Sequence, residues 1–181
     1  MARKRAPKHP HVVNWNELPV EDYRTGEHFG GTEVRLTPSM PQAKGHIGAV
    51  KVTLPPGRTY APFHWHVHED ELFIVLSGAG LLRYGDRLVD LTAGDCISCP
   101  RNSGEGHQIA NTSDQDLVYI AIGENRPDEV CVYPDSEKVL VRSLKRLGHL
   151  SAAEYFDDEP NPPSILQARK PARRGRKSAK A

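Results

Sequence analysis

His64-Trp65-His66-Val67-His68-Glu69-Asp70-Glu71 is the densest group of metal-capable side chains in the chain. Side chains alternate faces along an extended strand, so His64 and His66 share one side with Pro62 and Tyr60. Phe63 and Trp65 point the other way and supply apolar packing. A continuous strand would put Glu71 on the opposite face from His66. Val67 to Asp70 is polar enough to form a hairpin turn that resets the phase, which lets Glu71 face the two histidines. A second element runs from Gly94-Asp95 through Pro100 to His107 and Asn111, with His107, Ile109 and Asn111 on one face. Three neutral imidazoles and a carboxylate suit one divalent transition metal: Fe, Mn, Ni, Co, Cu or Zn. Four such ligands in an octahedral shell leave two positions open, which separates a catalytic site from a closed structural one.

His68 shares the period of His64 and His66 and is an alternative ligand, although the turn is expected to face it to solvent. His46 is an alternative to His107 with no spacing in its favour. Glu69 and Asp70 read as turn charges. His9, His11, His28 and His149 read as surface residues. Tyr60 is the weak catalytic candidate: its inward parity allows it to donate a proton or bind a substrate oxygen, or simply to pack as a core aromatic. Arg58, Arg83, Arg101 and Glu105 fall near expected strand ends, where arginine suits carboxylate or phosphate.

Outward from this centre the chain is a series of short apolar runs cut by turns. Strands are expected over 46–54, 59–66, 71–76, 80–84, 87–91, 95–99, 106–110 and 117–122, with a further one over 139–144. Gly85-Asp86 is a hairpin signal. Such spacing indicates an all-β sandwich or barrel. Ser151-Ala152-Ala153-Glu154 matches a capping box and predicts a short helix. Trp15 reads as the anchor of an N-terminal packing arm.

At 181 residues the chain suits one domain with extensions. Its net charge of +1 conceals segregation: four basic residues lie in the first eight positions and seven in the last thirteen. The remaining 13 basic residues stand against 23 acidic ones, all between Glu17 and Glu159. Residues 1–10 and 168–181 have too little apolar content to offset ordering entropy and are expected to be disordered basic tails. They read as solvated tails. Contact with nucleic acid stays open, but no base-reading element accompanies the charge.

No run approaches the roughly 20 apolar residues of a membrane span. No secretory signal is read at the N-terminus. The odd count of three cysteines lacks a secreted framework and favours a reducing cytoplasm. Cys96 and Cys99 lie on an expected strand, on opposite faces, and read as two buried apolar thiols.

The pattern Gly57-x6-His64-x-His66-x4-Glu71-x6-Gly78 resembles the first motif of the cupin superfamily, and Gly94-x5-Pro100…His107-x3-Asn111 resembles the second. The resemblance covers roughly residues 46–123. It implies an all-β double-stranded β-helix, a jelly-roll barrel with the metal inside, and His64, His66, Glu71 and His107 as the ligands. The first spacer is one residue longer than the usual pattern. The loop before His107 is two longer, with its glycine displaced to Gly104; both changes sit at the cavity mouth.

The segments after Asp128 and Glu154 are similar to a bacterial cupin group labelled as sugar-phosphate isomerases. The expected organisation is a tail (1–10), an N-terminal arm (11–45), the barrel (46–123), a C-terminal extension (124–167) and a second tail (168–181). The resemblance also implies a homodimer. The expected function is a metal-dependent enzyme on a small oxygenated substrate, of isomerase or dioxygenase type. The alternative is a binding or sensing module without turnover.

Overall fold

The computed structural model describes residues 9, 11–40, 44 and 46–168. The expected tails, apart from His9 and Ala168, therefore lie outside the described residues. Two compact units divide at Leu150 and Ser151.

The first unit is built from strands. In chain order they are β1 (Glu21–Thr25), β2 (Phe29–Arg35), β3 (His46–Leu54), β4 (Trp65–His66), β5 (Glu71–Ser77), β6 (Ala79–Tyr84) and β7 (Arg87–Thr92). There follow β8 (Cys96–Cys99), β9 (His107–Ala110), β10 (Leu117–Asn125), β11 (Val130–Tyr133), β12 (Lys138–Val141) and β13 (Arg146–His149). One sheet has the order β1-β2-β3-β10-β5-β8, a second β13-β12-β11-β4 and a third β7-β6-β9. Every pair between these strands is antiparallel. This is the all-β, double-stranded β-helix arrangement expected from the sequence.

Hydrophobic alternation sets which face closes inward. Val52 and Leu54 of β3, Phe73 and Val75 of β5, and Leu117 and Tyr119 of β10 are buried on one side of the large sheet. They pack against Leu82, Leu91 and Ile109 of the three-stranded sheet. At roughly 1.5–3 kcal/mol for each fully buried large apolar side chain, this cluster is the main stabilising term of the unit. The β6–β7 hairpin closes with Tyr84 opposite Arg87, and Gly85 takes the positive φ of +54° that this two-residue turn requires.

The large sheet places residues in cross-strand rows, and directly opposite residues share a face. Glu33, Val52 and Tyr119 form one row; Arg35, Val50, Ala121 and Phe73 form the next. Gly48, Gly123, Glu71 and Cys99 form the third. Side-chain volume falls along this direction, so the core thins into open space at the end of the sheet where Glu71 stands.

Four expectations are corrected. The stretch 59–66 is not one strand: Thr59 and His64 make isolated bridges and only Trp65–His66 is β4, because Pro62 interrupts the ladder. Val67–Asp70 is no hairpin turn, since β4 pairs with β11 while β5 pairs with β10 and β8; it is a crossover between sheets. Over 139–144 the strand stops at Val141 and a 3-10 turn, Arg142–Leu144, follows. In the second unit Ser151–Glu154 is not helical; Glu154 N–H instead bonds the Asp157 carboxylate in a turn. The helix of that unit is the single turn Ser164–Gln167. Among the described residues no helix is long and apolar enough to cross a membrane.

Candidate metal centre

His64 and His107 face each other across an antiparallel bridge, with His107 N–H donating to His64 O at 2.8 Å and His64 N–H returning at 3.3 Å. Such a pair places both side chains on one face, and their ring centroids lie 4.5 Å apart. Two residues on, His66 is held by the pairing of β4 with β11 and presents its ring to the same space. Glu71, the first residue of β5, enters from the neighbouring sheet. Its Oε2 lies 2.9 Å from His107 Nε2, 3.3 Å from His66 Nε2 and 3.9 Å from His64 Nε2. Three imidazole nitrogens thus surround one carboxylate oxygen, and the four sequence candidates are brought together.

Two of the three ring orientations are fixed from behind, while His107 Nδ1 is buried without a partner. His64 Nδ1 lies 2.8 Å from the Pro62 carbonyl, which can only accept, so Nδ1 carries the proton and Nε2 points its lone pair at the cluster. His66 Nδ1 donates to Glu129 Oε1 at 3.2 Å. His66 Nε2 is buried without a hydrogen-bond partner. These are the tautomers a metal ligand needs.

Burial, followed by the charge of His107, lowers the His64 pKa to about 4. Burial also acts to lower that of His66, but the carboxylates of Glu71, Glu129 and Glu69 outweigh it and the net shift is upward. Burial alone would raise Glu71; the hydrogen bond from His107 and the charges of His66 and His107 reverse this and hold it well below the usual carboxylate range. A carboxylate kept ionised among imidazoles is a ready cation site. His64, Glu71 and His107 satisfy the spacing of a metal-binding group, as do His66, Glu69 and Glu129.

Glu69 corrects the reading of it as a turn charge: it is 3% exposed. It forms a two-pronged ion pair with Arg142, in which Nη1 meets Oε1 and Nη2 lies 3.1 Å from Oε2. Glu129 has no exposed surface and accepts from Val67 N–H and His68 N–H as well as from His66. Both Glu129 and Arg142 escape sequence reasoning, because their partners lie more than sixty residues away. The crossover 67–70 is therefore pinned by buried charge rather than by turn chemistry.

Among the other candidates, Tyr60 lines the same interior, but its hydroxyl donates to Glu33 Oε2 at 2.5 Å. Burial, reinforced by Glu33, raises its pKa. Arg58 bonds the Phe29 carbonyl, Arg83 pairs with Asp135 and Arg101 pairs with Asp70. Asn111 is buried and ties Leu54 O to Gln115 O. His68 is half-buried; His9, His11, His28, His46 and His149 are exposed. Cys99 is buried but Cys96 is exposed, which corrects the expectation of two buried thiols: alternation on β8 sends Cys96 to the outer face.

Two cavities meet at the cluster. One, of about 250 Å³, is mostly apolar and includes Val52, Tyr60, Phe73, Gln108 and Tyr119 beside His64, Glu71 and His107. The other, of about 240 Å³, is more polar and includes Arg35, Thr37, Asn125 and Arg142 beside His64, His66 and Glu71. Both are below the usual size of drug-like pockets and suit a small molecule.

Comparison with known proteins agrees with this geometry. The Cupin domain family model matches residues 50–123. An oxalate-binding protein of Thermotoga maritima is 36% identical over 115 residues, which covers 61% of this chain and 91% of the relative. The structure of a cupin-superfamily sugar phosphate isomerase from Silicibacter pomeroyi DSS-3 is similar at a TM-score of 0.66. Its identity is 22%, over 78% of this chain and 97% of that one. A Thermotoga maritima structure described as a predicted oxalate decarboxylase matches at a TM-score of 0.52 and 26% identity, over 63% and 98%. With the barrel topology, the motif residues gathered in its interior and a curated relative matched over nearly its whole length, the chain belongs to the cupin superfamily.

Proposed function

We propose that His64, His66, Glu71 and His107 hold one divalent transition metal, and that the protein is a metal-dependent enzyme acting on a small oxygenated substrate. A sugar, a sugar phosphate or an oxo-acid fits, with isomerisation or oxygenation as the reaction class. The observation that carries this reading is the convergence of three Nε2 atoms on one Glu71 oxygen, with two cavities at the same point. A bound metal supplies a Lewis acid that polarises a substrate oxygen. The chain's own part is to orient the imidazoles through Pro62 and Glu129, to keep Glu71 ionised and to line the cavity with Phe73 and Tyr119. Tyr60, with its proton held toward Glu33, offers a hydroxyl oxygen to the cavity and does not serve as a base.

The test is elemental analysis of protein purified without chelator or affinity histidines, beside the double variant His66→Ala, Glu71→Ala. Wild type is expected to hold close to one metal per chain and the variant almost none. Equal metal content in both, or none in wild type after exposure to all six candidate metals, overturns the reading.

A non-catalytic binding module is the second reading, favoured by a relative that is an oxalate-binding protein. A turnover screen on metal-loaded protein separates the two: binding without product marks the module. A cytoplasmic location accords with three free cysteines. Homodimerisation is checked by sedimentation at micromolar concentration, where monomer alone rejects it.

A further inference from the structure

Arg35 stands apart from every other charged group in the polar cavity. Arg142 is paired with Glu69, Glu124 bonds Asp70 N–H and lies near Arg101, and Glu71 is held by the histidines. The Arg35 side chain makes no hydrogen bond or ion pair among the described residues, and its Nε is buried without a partner. It also borders a shallow groove that contains Glu21, yet no ion pair forms there. A buried guanidinium nitrogen without an acceptor is unfavourable, so its persistence at a cavity wall points to an acceptor that arrives from outside.

Its placement is set by the sheet. Arg35 sits opposite Val50 in the row next to Gly48, Gly123 and Glu71, on the inward face shared with Glu33. Gly123 leaves the floor beside Glu71 bare, while the side-chain amide of Asn125 lies over Gly48. A Cβ at Gly123 would lie 3.4 Å from Glu71 Cγ, so any larger side chain there would occupy the space beside the carboxylate. The cavity therefore has a cation at one wall and the histidine–carboxylate cluster at another, with small residues between.

We propose that Arg35 docks the anionic group of the ligand, a carboxylate or a phosphate, while the ligand's other oxygens reach the His64–His66–Glu71 cluster. The inference rests on the proposed function and deepens it: the ligand is a small hydroxy- or oxo-acid or a sugar phosphate, and a neutral polyol is a poor substitute. Arginine is suited to this task because its planar fork donates two parallel hydrogen bonds to either oxyanion.

The test titrates manganese-loaded protein calorimetrically with two matched pairs of probes, glycolate against ethylene glycol and glycerol 3-phosphate against glycerol. At least one anion is expected to bind, and to bind more tightly than its neutral partner. Arg35→Gln should lower that anion's affinity on the order of 10- to 100-fold, with metal content and melting temperature unchanged. Arg35→Lys, which keeps the charge, should recover part of it. The anion that shows the dependence decides between carboxylate and phosphate. Equal binding of that anion to wild type and Arg35→Gln, binding of neither anion at millimolar concentration, or a lysine variant no better than the glutamine one overturns the assignment. Failure of wild type to take up metal sinks the metal reading instead. The same titration of metal-free protein then judges Arg35 alone, with its anion dependence expected to persist at weaker affinity.

Discussion

Nδ1 of His66 lies 3.2 Å from Oε1 of Glu129, a residue 63 positions away with no exposed surface. The same carboxylate bonds the backbone N–H groups of Val67 and His68. One side chain thus fixes a candidate ligand's tautomer and the path of the chain that leads from it to Glu71. Structure and site are tied at this point, and substitutions there are expected to move both.

Glu129→Ala leaves two backbone donors and an imidazole donor without acceptors. The expected loss of stability is about 3 kcal/mol by urea unfolding. Metal affinity, read by competition with a chelating dye, is expected to fall on the order of 10- to 100-fold because His66 loses its orientation. Glu129→Gln keeps one acceptor oxygen and should lose about 1 kcal/mol. Metal affinity unchanged in the alanine variant would mean that the contact only braces the loop.

The Glu69–Arg142 pair makes a sharper claim about buried charge. Arg142→Ala strands a carboxylate that is 3% exposed, which should cost about 3–5 kcal/mol. Adding Glu69→Gln to that variant removes the stranded charge and is expected to restore a large part of the loss. A double-mutant cycle in urea measures it; additive single effects would show that the two residues do not depend on each other.

The strands were legible in the sequence wherever one face is buried and turns are marked. β3 was expected at 46–54 and is His46–Leu54; the β6–β7 hairpin follows from Gly85-Asp86. His64, His66, Glu71 and His107 were legible as a set because strand parity and motif spacing are local properties. The support of that set was not. Glu69 looks like a turn charge until Arg142 is seen beside it, and Glu129 has no local pattern that marks it as buried. Arg35 follows the apolar Val34 on β2, so period two alone would turn Val34 inward and Arg35 out; only the register that sets Arg35 opposite Val50 shows that it faces the cavity. Long-range pairing of charge is invisible to any argument that runs along the chain.

Acid destabilises the metal-free protein through His64 in a definite direction. Its folded pKa of about 4 lies below an unfolded value of about 6.5. Between these limits the unfolded chain binds more protons, so stability falls as pH drops from about 6.5 to about 4. The shift corresponds to at most about 3 kcal/mol. Glu71, also depressed, adds a loss at still lower pH. His66 is raised and acts oppositely: its contribution is present below its unfolded pKa and is lost as pH rises through the folded one. Melting temperatures of chelator-treated protein should therefore decline on the acid side, and His64→Asn should flatten that decline. An unaltered slope in the variant would place the acid sensitivity elsewhere.

Thiol accessibility gives a test of the strand faces independent of any metal. Cys96 is exposed on the outer side of β8, while Cys99 and Cys131 are buried and burial pushes their pKa values up to about 12. The thiolate is the reactive species, so both buried thiols are doubly protected, by access and by protonation. Native protein is expected to release the chromophore of an aromatic disulfide reagent from one cysteine, and all three should react once the chain is unfolded in denaturant. Rapid modification of two thiols in the folded state, or formation of a Cys96–Cys99 bond under mild oxidation, would contradict the opposite-face placement. The observed register of Cys99 against Glu71 would then have to shift by one residue. Glu71 would keep its own face in such a slip, because β10 also holds it opposite Gly123, so the cysteine count tests the β8 edge of the sheet separately from the histidine–carboxylate cluster.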